Sequence, residues 1–216
     1  MARKDRMGNR KTRIQKKQFK VPELGYYLIV TDTEGTERCF FDGLRRDLPD
    51  NIKSKLVIKV IETKTRKMID KCIELTAYDA QYRIPWIVFD RDQVQGFDGI
   101  IAEAARKGVQ VGWSNPCFEI WMHAYFGSMP SLDNSWTCCS DFERVFELKT
   151  GQMYFKTDEN LYDKLCKSGN EEMAIKIAKQ KYEQCLQDGK TKPSEMCPCT
   201  TVYELVGEIK SKVLKE

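Results

Sequence analysis

The chain has 216 residues and a mass of 25.2 kDa, which is enough for one well-packed domain with an appended subdomain. Its 41% hydrophobic and 31% charged residues are an ordinary balance for a globular protein in water. No apolar run approaches the roughly 18 to 20 residues that a helix needs to cross a bilayer, so no transmembrane helix is predicted. Because no apolar segment follows the first basic residues, we expect a cytoplasmic protein.

The first 20 residues form a basic arm. They carry nine Lys or Arg against one Asp, so the arm is +8 although the whole chain is only +4. We interpret it as a flexible segment that contacts nucleic-acid phosphates, or alternatively as a solubilising tail or a segment that docks on an acidic patch. The residues assigned to nucleic-acid contact here are Arg3, Lys4, Arg6, Arg10, Lys11, Arg13, Lys16 and Lys17.

The nine cysteines are expected to be reduced thiols, because their number is odd and no signal peptide precedes them. Cys138-Cys139 and Cys197-Pro198-Cys199 lie close in sequence, but neither pair has the C-x2-C spacing of a zinc knuckle. The only histidine, His123, lies in an aromatic helical run. We expect it to be a half-buried structural residue and not a general base.

The run from Tyr26 to Thr31 predicts a buried first strand. Three acids follow it within six residues: Asp32, Glu34 and Glu37. Thr36 is the predicted N-cap of an amphipathic helix from Arg38 to Leu48, so Glu37 also fits as a first-turn acid. Asp32 and Glu34 precede the cap and have no such structural reason.

A second strand is predicted from Leu56 to Ile61 and a second helix from Lys64 to Tyr78. Lys64, Arg66 and Lys67 crowd the start of that helix, where the helix dipole disfavours positive charge. This placement suits a phosphate site, although a solvated basic face is an alternative explanation.

The apolar run from Ile84 to Phe89 predicts a third buried strand that ends in Asp90-Arg91-Asp92. In open α/β sheets, ligands bind at the C-terminal edge of the strands. Asp90 and Asp92 can therefore aim two hard oxygen ligands at one magnesium-sized cation. A solvated turn leaving the core is the alternative interpretation of this pattern alone.

A third helix is predicted from Phe97 to Lys107, closed by Gly108, and a fourth strand from Val109 to Trp113. The alternation of strands and helices predicts a doubly wound, mostly parallel sheet.

The next helix is predicted to open with Ser114 or Asn115 as its cap and Pro116 in its first turn. Glu119 is not needed for capping and should emerge at the same sheet edge as the other acids, so it is a candidate supporting group. Beyond Gly127 the pattern loosens, and the predicted helices are Leu161–Leu165, Met173–Leu186 and Thr200–Leu214.

Four motifs together resemble the RloB family of prokaryotic abortive-infection proteins. They are Leu28-Ile-Val-Thr-Asp-Thr-Glu-Gly-Thr-Glu37 with Phe40-Phe41, Phe89-Asp-Arg-Asp92, Trp113-Ser-Asn-Pro-Cys-Phe-Glu-Ile-Trp121 and Pro198-Cys-Thr-Thr-Val202. The resemblance spans roughly residues 24–210. That family is similar to Toprim domains, a metal-dependent fold that handles phosphodiesters. The resemblance implies a Toprim-like α/β core over residues 21–127 and a mainly helical C-terminal extension over 128–216, packed on the core, after the arm of residues 1–20.

A Toprim domain has a glutamate after its first strand and an Asp-x-Asp after its third. The resemblance therefore implies Mg²⁺ or Mn²⁺ ligation by Asp90, Asp92 and Glu34, with Asp32 as a further catalytic carboxylate. Supporting roles fall to Glu37, Asn115 and Glu119. The sequence departs from the family at Asp32 and Thr33, where relatives carry glutamate and glycine, so the carboxylate at position 32 is one methylene shorter.

The resemblance implies a metal-dependent nuclease that cleaves RNA, including tRNA, or DNA in antiphage defence. Family members are commonly paired with an AAA- or ABC-type ATPase, and this chain has no G-x-x-x-x-G-K-[ST] of its own. The alternative is a nucleic-acid-binding or adaptor subunit of such an ATPase complex. A haloacid-dehalogenase-like phosphatase with Asp90 as nucleophile is disfavoured, because Gln93-Val94 replaces the small or hydroxyl residues expected there.

Overall fold

The computed structural model describes residues 22–32, 35–78, 83–92 and 94–215, and a five-stranded sheet forms its centre. The strands are β1 (Gly25–Asp32), β2 (Leu56–Thr63), β3 (Arg83–Asp90), β4 (Gln110–Asn115) and β5 (Cys199–Thr200). Their order is β2-β1-β3-β4-β5, with β1 to β4 parallel and β5 antiparallel to β4. The predicted doubly wound, mostly parallel α/β sheet is confirmed, and it is consistent with a Toprim-like fold.

Helices cover both faces of the sheet. They are α1 (Thr36–Asp47), α2 (Asp50–Lys53), α3 (Met68–Tyr78), α4 (Phe97–Arg106), α5 (Glu119–Tyr125), α6 (Ser135–Thr150), α7 (Leu161–Ser168), α8 (Glu171–Gln187) and α9 (Val202–Val213). A 3-10 turn, Thr65–Lys67, precedes α3, so this helix begins four residues later than the predicted Lys64. None of the helices in these ranges is long and apolar enough to span a membrane.

The alternation of side chains along β1 divides the core into two layers. Tyr27 and Ile29 point into a layer built with α1, α5, α6, α7 and α9. Leu28 and Val30 point to the other face, against α3 and α4. Strands that are buried on both faces need apolar residues at every position, which explains their unbroken hydrophobic runs.

The predicted cap of the first helix is wrong. Gly35, with extended backbone angles, is the residue before α1, and Thr36 is already the first helical residue. The Thr36 hydroxyl lies 3.0 Å from the Tyr154 hydroxyl and not on the helix's own backbone. A tertiary hydrogen bond has therefore replaced the local cap.

The predicted cap at Ser114 or Asn115 is also wrong. Both residues belong to β4, where they pair with Thr200 and Cys199 of β5, and α5 does not begin until Glu119. Pro116 follows a cis peptide bond and lies before the helix, not in its first turn. Pairing with β5 has extended the strand through a sequence that locally favours a helix start.

His123 is more deeply buried than expected. It is 1% exposed on α5, and its ring meets the Phe142 ring edge to face with centroids 5.2 Å apart. Burial lowers the pKa of this imidazole, which fits a structural residue. The cysteines in the described ranges are free thiols, as predicted.

Close packing of α1 against α7 leaves no room for a side chain at Gly43. A Cβ added at this buried glycine would overlap the Cβ of Tyr162. We expect Gly43→Ala to lower the free energy of unfolding by about 1 to 3 kcal/mol in urea denaturation. Gly99→Ala is the matched control, because Gly99 is exposed on α4 and an added Cβ meets nothing within 4 Å. This control should leave stability unchanged or raise it by up to about 1 kcal/mol, and equal effects of the two changes would contradict the packing.

Candidate active site

A cleft of about 800 Å³ opens at the C-terminal edge of the sheet. It lies where β1 and β3 are neighbours, with β2 on one side and β4 on the other. The chain reverses its winding direction at this point, which is where open α/β sheets bind ligands. Five acids line the cleft: Asp32, Glu37, Asp90, Asp92 and Glu119. Four basic residues line it with them: Lys64, Arg66, Lys67 and Lys156.

The acids reach the cleft from four structural elements and the turn after β3. Asp32 is the last residue of β1, and its Oδ2 accepts a hydrogen bond from the Thr65 hydroxyl. Asp90 is the last residue of β3, and Asp92 follows two residues later. Glu37 lies in the first turn of α1 and Glu119 in the first turn of α5. Strand ends and helix starts therefore converge on one edge, as the sequence predicted.

The segment after β4 holds the turn that carries Asp90 and Asp92. The Phe118 amide donates to Asp90 Oδ2 at 3.3 Å, and the Asp92 amide donates to the Pro116 carbonyl at 3.0 Å. The Arg91 amide donates to the Ser114 carbonyl at 2.9 Å. These bonds connect the motif of residues 89–92 directly to the motif of residues 113–121.

Asn115, predicted to support the site, does not line the cleft. Its Nδ2 donates to the Pro193 carbonyl at 3.1 Å, and the Arg91 guanidinium donates to the Ser194 carbonyl at 2.7 Å. Asn115 and Arg91 thus fasten the loop around residues 193–194 behind the Asp90 turn.

Two carboxylates of the cleft, Asp90 and Glu37, have a raised pKa. Burial, and then the charges of Glu119 and Asp92, raise the pKa of Asp90 to about 7. Burial, followed by the charge of Asp90, raises the pKa of Glu37 well above its usual range. Ionisation of Asp90 or Glu37 therefore costs free energy when no cation is bound.

Lys156 lines the cleft and Tyr154 supports Glu119, and the sequence prediction missed both residues. The Lys156 ammonium lies 3.2 Å from Glu119 Oε1, and the Tyr154 hydroxyl donates to the same oxygen at 2.9 Å. Burial alone would raise the pKa of Glu119, but the Lys156 charge and hydrogen bonds lower it overall. Lys156 and Tyr154 therefore hold Glu119 in its ionised form. No periodicity marks these two residues, because they lie in the irregular segment between α6 and α7.

A second group of possible ligands lies beside Glu119. The Sγ atoms of Cys117 and Cys139 and a Glu119 oxygen lie within 4.8 Å of one another. The Lys156 ammonium already contacts two of the three, at 3.6 Å from the Cys139 sulfur. A metal in this group would have to displace Lys156, whereas Asp90 and Asp92 have no ion pair with it in the described contacts. The acids at the strand ends are therefore the better candidate metal site.

The acids at the strand ends have the chemistry that suits a hard divalent cation, although no three of them in the described part of the chain have ligand oxygens within 4.8 Å of one another. Asp32, Glu37, Asp90 and Asp92 offer carboxylate oxygens only, which Mg²⁺ and Mn²⁺ prefer to nitrogen or sulfur. A cation there would also offset the repulsion that raises the pKa of Asp90 and Glu37. Lys64, Arg66 and Lys67 are exposed on the rim beside these acids, in and just before the 3-10 turn. The predicted ligand Glu34 and the basic residues of the arm lie outside the described residues.

Removal of one charge from the cleft should stabilise the metal-free protein. Above pH 7 and in the presence of a chelator, we expect Asp90→Asn to raise the free energy of unfolding by about 2 kcal/mol, because the ionised Asp90 carboxylate is buried and lies beside like charges. Thermal denaturation measures this, with Glu143→Gln, an exposed acid on α6, as a control that changes stability by no more than about 0.5 kcal/mol. A loss of stability in Asp90→Asn would contradict the repulsion.

Comparison with known proteins agrees with the motifs. A family model described as "RloB-like protein" matches residues 27–209, which includes every strand end and helix start of the cleft. No curated protein and no solved structure gave a significant match. Since the match covers most of the sequence, the chain belongs to the RloB-like family.

Proposed function

We propose that this protein is a Mg²⁺- or Mn²⁺-dependent nuclease that hydrolyses phosphodiester bonds in RNA or DNA. The observation that supports this most strongly is the cleft itself. Four carboxylates at two adjacent strand ends and a helix start share it with a row of exposed cations. A hard-metal site beside phosphate-binding groups is what hydrolysis of a phosphodiester requires.

Asp90 and Asp92 would hold the metal, with Asp32 or Glu34 as a further ligand. When bound, a divalent ion polarises the phosphate and lowers the pKa of water. The carboxylates bring the charge that binds such an ion.

The other residues of the cleft position the substrate and the acids. Thr65 fixes the Asp32 carboxylate, which can then ligate metal or move a proton. Lys64, Arg66 and Lys67 would bind the phosphates on either side of the scissile bond, and the basic arm would extend this contact. The Glu119–Lys156 ion pair holds a further cation at the cleft wall.

The setting of this activity also forms part of the proposal. Family membership supports a role in prokaryotic antiphage defence, in the cytoplasm, together with an AAA- or ABC-type ATPase. One observation favours the alternative of a nucleic-acid-binding or adaptor subunit. The shorter Asp32 carboxylate is engaged by Thr65, which can leave it unable to reach a metal held at Asp90.

Cleavage assays test the nuclease directly. Purified protein should cut at least one of mixed tRNA, single-stranded RNA and plasmid DNA with Mg²⁺ or Mn²⁺, with the neighbouring ATPase added in parallel, and should cut none in chelator. Asp90→Ala should lower the rate by roughly a hundred-fold or more, because it removes a metal ligand. Asp32→Ala should also lower the cleavage rate if Asp32 ligates the metal or moves a proton.

The control is Asp188→Asn, which changes an exposed acid at the end of α8 and should cut like the wild type. No cleavage with any metal or partner, combined with retained nucleic-acid binding, would reject the nuclease and leave the binding subunit. Metal-dependent hydrolysis of a small phosphomonoester without cleavage of nucleic acid would indicate a phosphatase instead.

A further inference from the structure

Two large aromatic side chains are exposed close to the cleft. Trp136 is 78% exposed and Phe155 is 57% exposed, whereas Trp86, Trp113 and Trp121 are buried in the core. An indole in water forgoes a large hydrophobic stabilisation, and exposed aromatic residues are enriched where proteins bind partners. We therefore expect the two side chains to contact a bound partner.

Trp136 lies next to the acidic turn after β3. The Pro116 carbonyl accepts hydrogen bonds both from the Asp92 amide, at 3.0 Å, and from the Ser135 hydroxyl, at 3.3 Å. Asp92 and the first residue of α6 thus meet at a single oxygen. Trp136 is the second residue of that helix, so its backbone lies near the Asp92 side of the cleft.

Phe155 lies in the loop that supplies Lys156 to the cleft. Its two chain neighbours, Tyr154 and Lys156, both contact Glu119 in the wall of the cleft. Cys139 lies one helical turn after Trp136 on α6, and its sulfur is 3.6 Å from the Lys156 ammonium. The backbone around Trp136 and the backbone around Phe155 therefore both lie near Lys156, one in the helix and one in the following loop.

We propose that Trp136 and Phe155 form a stacking platform for unpaired nucleobases, so that the substrate is single-stranded or locally unpaired nucleic acid. Proteins that bind single strands combine cations along the phosphate path with aromatic rings on which bases stack. The cleft supplies the cations, which are Lys156, next to Phe155 in the chain, and Lys64, Arg66 and Lys67 elsewhere in its lining. A duplex keeps its base faces covered and offers nothing to these rings. This inference rests on the proposed function and defines its substrate class.

Binding measurements in chelator test the platform without cleavage. We expect the full-length protein to bind short oligo(dT) and oligo(U) more tightly than duplexes of equal length at the same salt concentration, as measured by fluorescence anisotropy. Trp136→Ala and Phe155→Ala should each weaken single-strand binding about five-fold or more, because each removes one stacking partner. Leu148→Ala is the matched control, because Leu148 is 72% exposed towards the other end of the same helix α6.

Tryptophan fluorescence gives a second readout. Trp136 is the one exposed tryptophan of the four, so stacking of a base should quench its emission, and Trp136→Phe should lose the quenching but retain most of the affinity. Equal affinity for single strands and duplexes, or unchanged affinity in both alanine variants, would overturn the platform. A second outcome would also overturn it: a wild-type dimer in sedimentation analysis that becomes a monomer in the alanine variants without loss of oligonucleotide binding. The two rings would then contact a second protein chain and not a nucleobase.

These outcomes separate the platform from the nuclease. Single-strand binding that depends on Trp136 and Phe155, without cleavage under any metal, would reject the nuclease and retain the platform. Metal-dependent cleavage, with single-strand binding unchanged in both alanine variants, would retain the nuclease and reject the platform.

Discussion

Carboxylates that repel one another are held together at the edge of the sheet between β1 and β3. Asp90 and Glu37 are costly to ionise there, since burial and neighbouring acids raise the pKa of both. A fold does not gain stability from such a cluster, and clusters of this kind are found where function requires them. The surrounding structure is best understood as the framework that holds these acids in place.

That framework draws on both halves of the chain. The segment after β4 binds the backbone of the Asp90 turn, and β5, close to the C-terminus, pairs with the end of β4. Tyr154 and Lys156 fix Glu119 from the loop between α6 and α7. The region beyond residue 127 therefore contributes walls and a cation to the cleft, and it does more than cover the sheet.

The sequence predicted those parts of the structure that leave a local pattern. Mainly apolar runs predicted β1 to β4, and the acids that follow β1 and β3 predicted the edge of the sheet that Asp32, Asp90 and Asp92 line. What it missed depends on long-range contacts. A two-residue strand such as β5 has no periodicity, so its pairing with Ser114 and Asn115 could not be foreseen, and the local capping pattern was misleading. Lys156 reaches the cleft from an irregular segment far along the chain, and only the folded structure shows its partner.

The central claim is that the acids at the strand ends, and not the neighbouring cysteine group, bind a hard divalent cation. Diffraction from Mn²⁺-soaked crystals at the manganese absorption edge tests it most directly. The account predicts an anomalous peak between Asp90 and Asp92 that is absent in Asp90→Asn crystals, with the Lys156–Glu119 ion pair intact. A peak among Cys117, Glu119 and Cys139 with Lys156 displaced, or no peak in the cleft at saturating Mn²⁺, would contradict it.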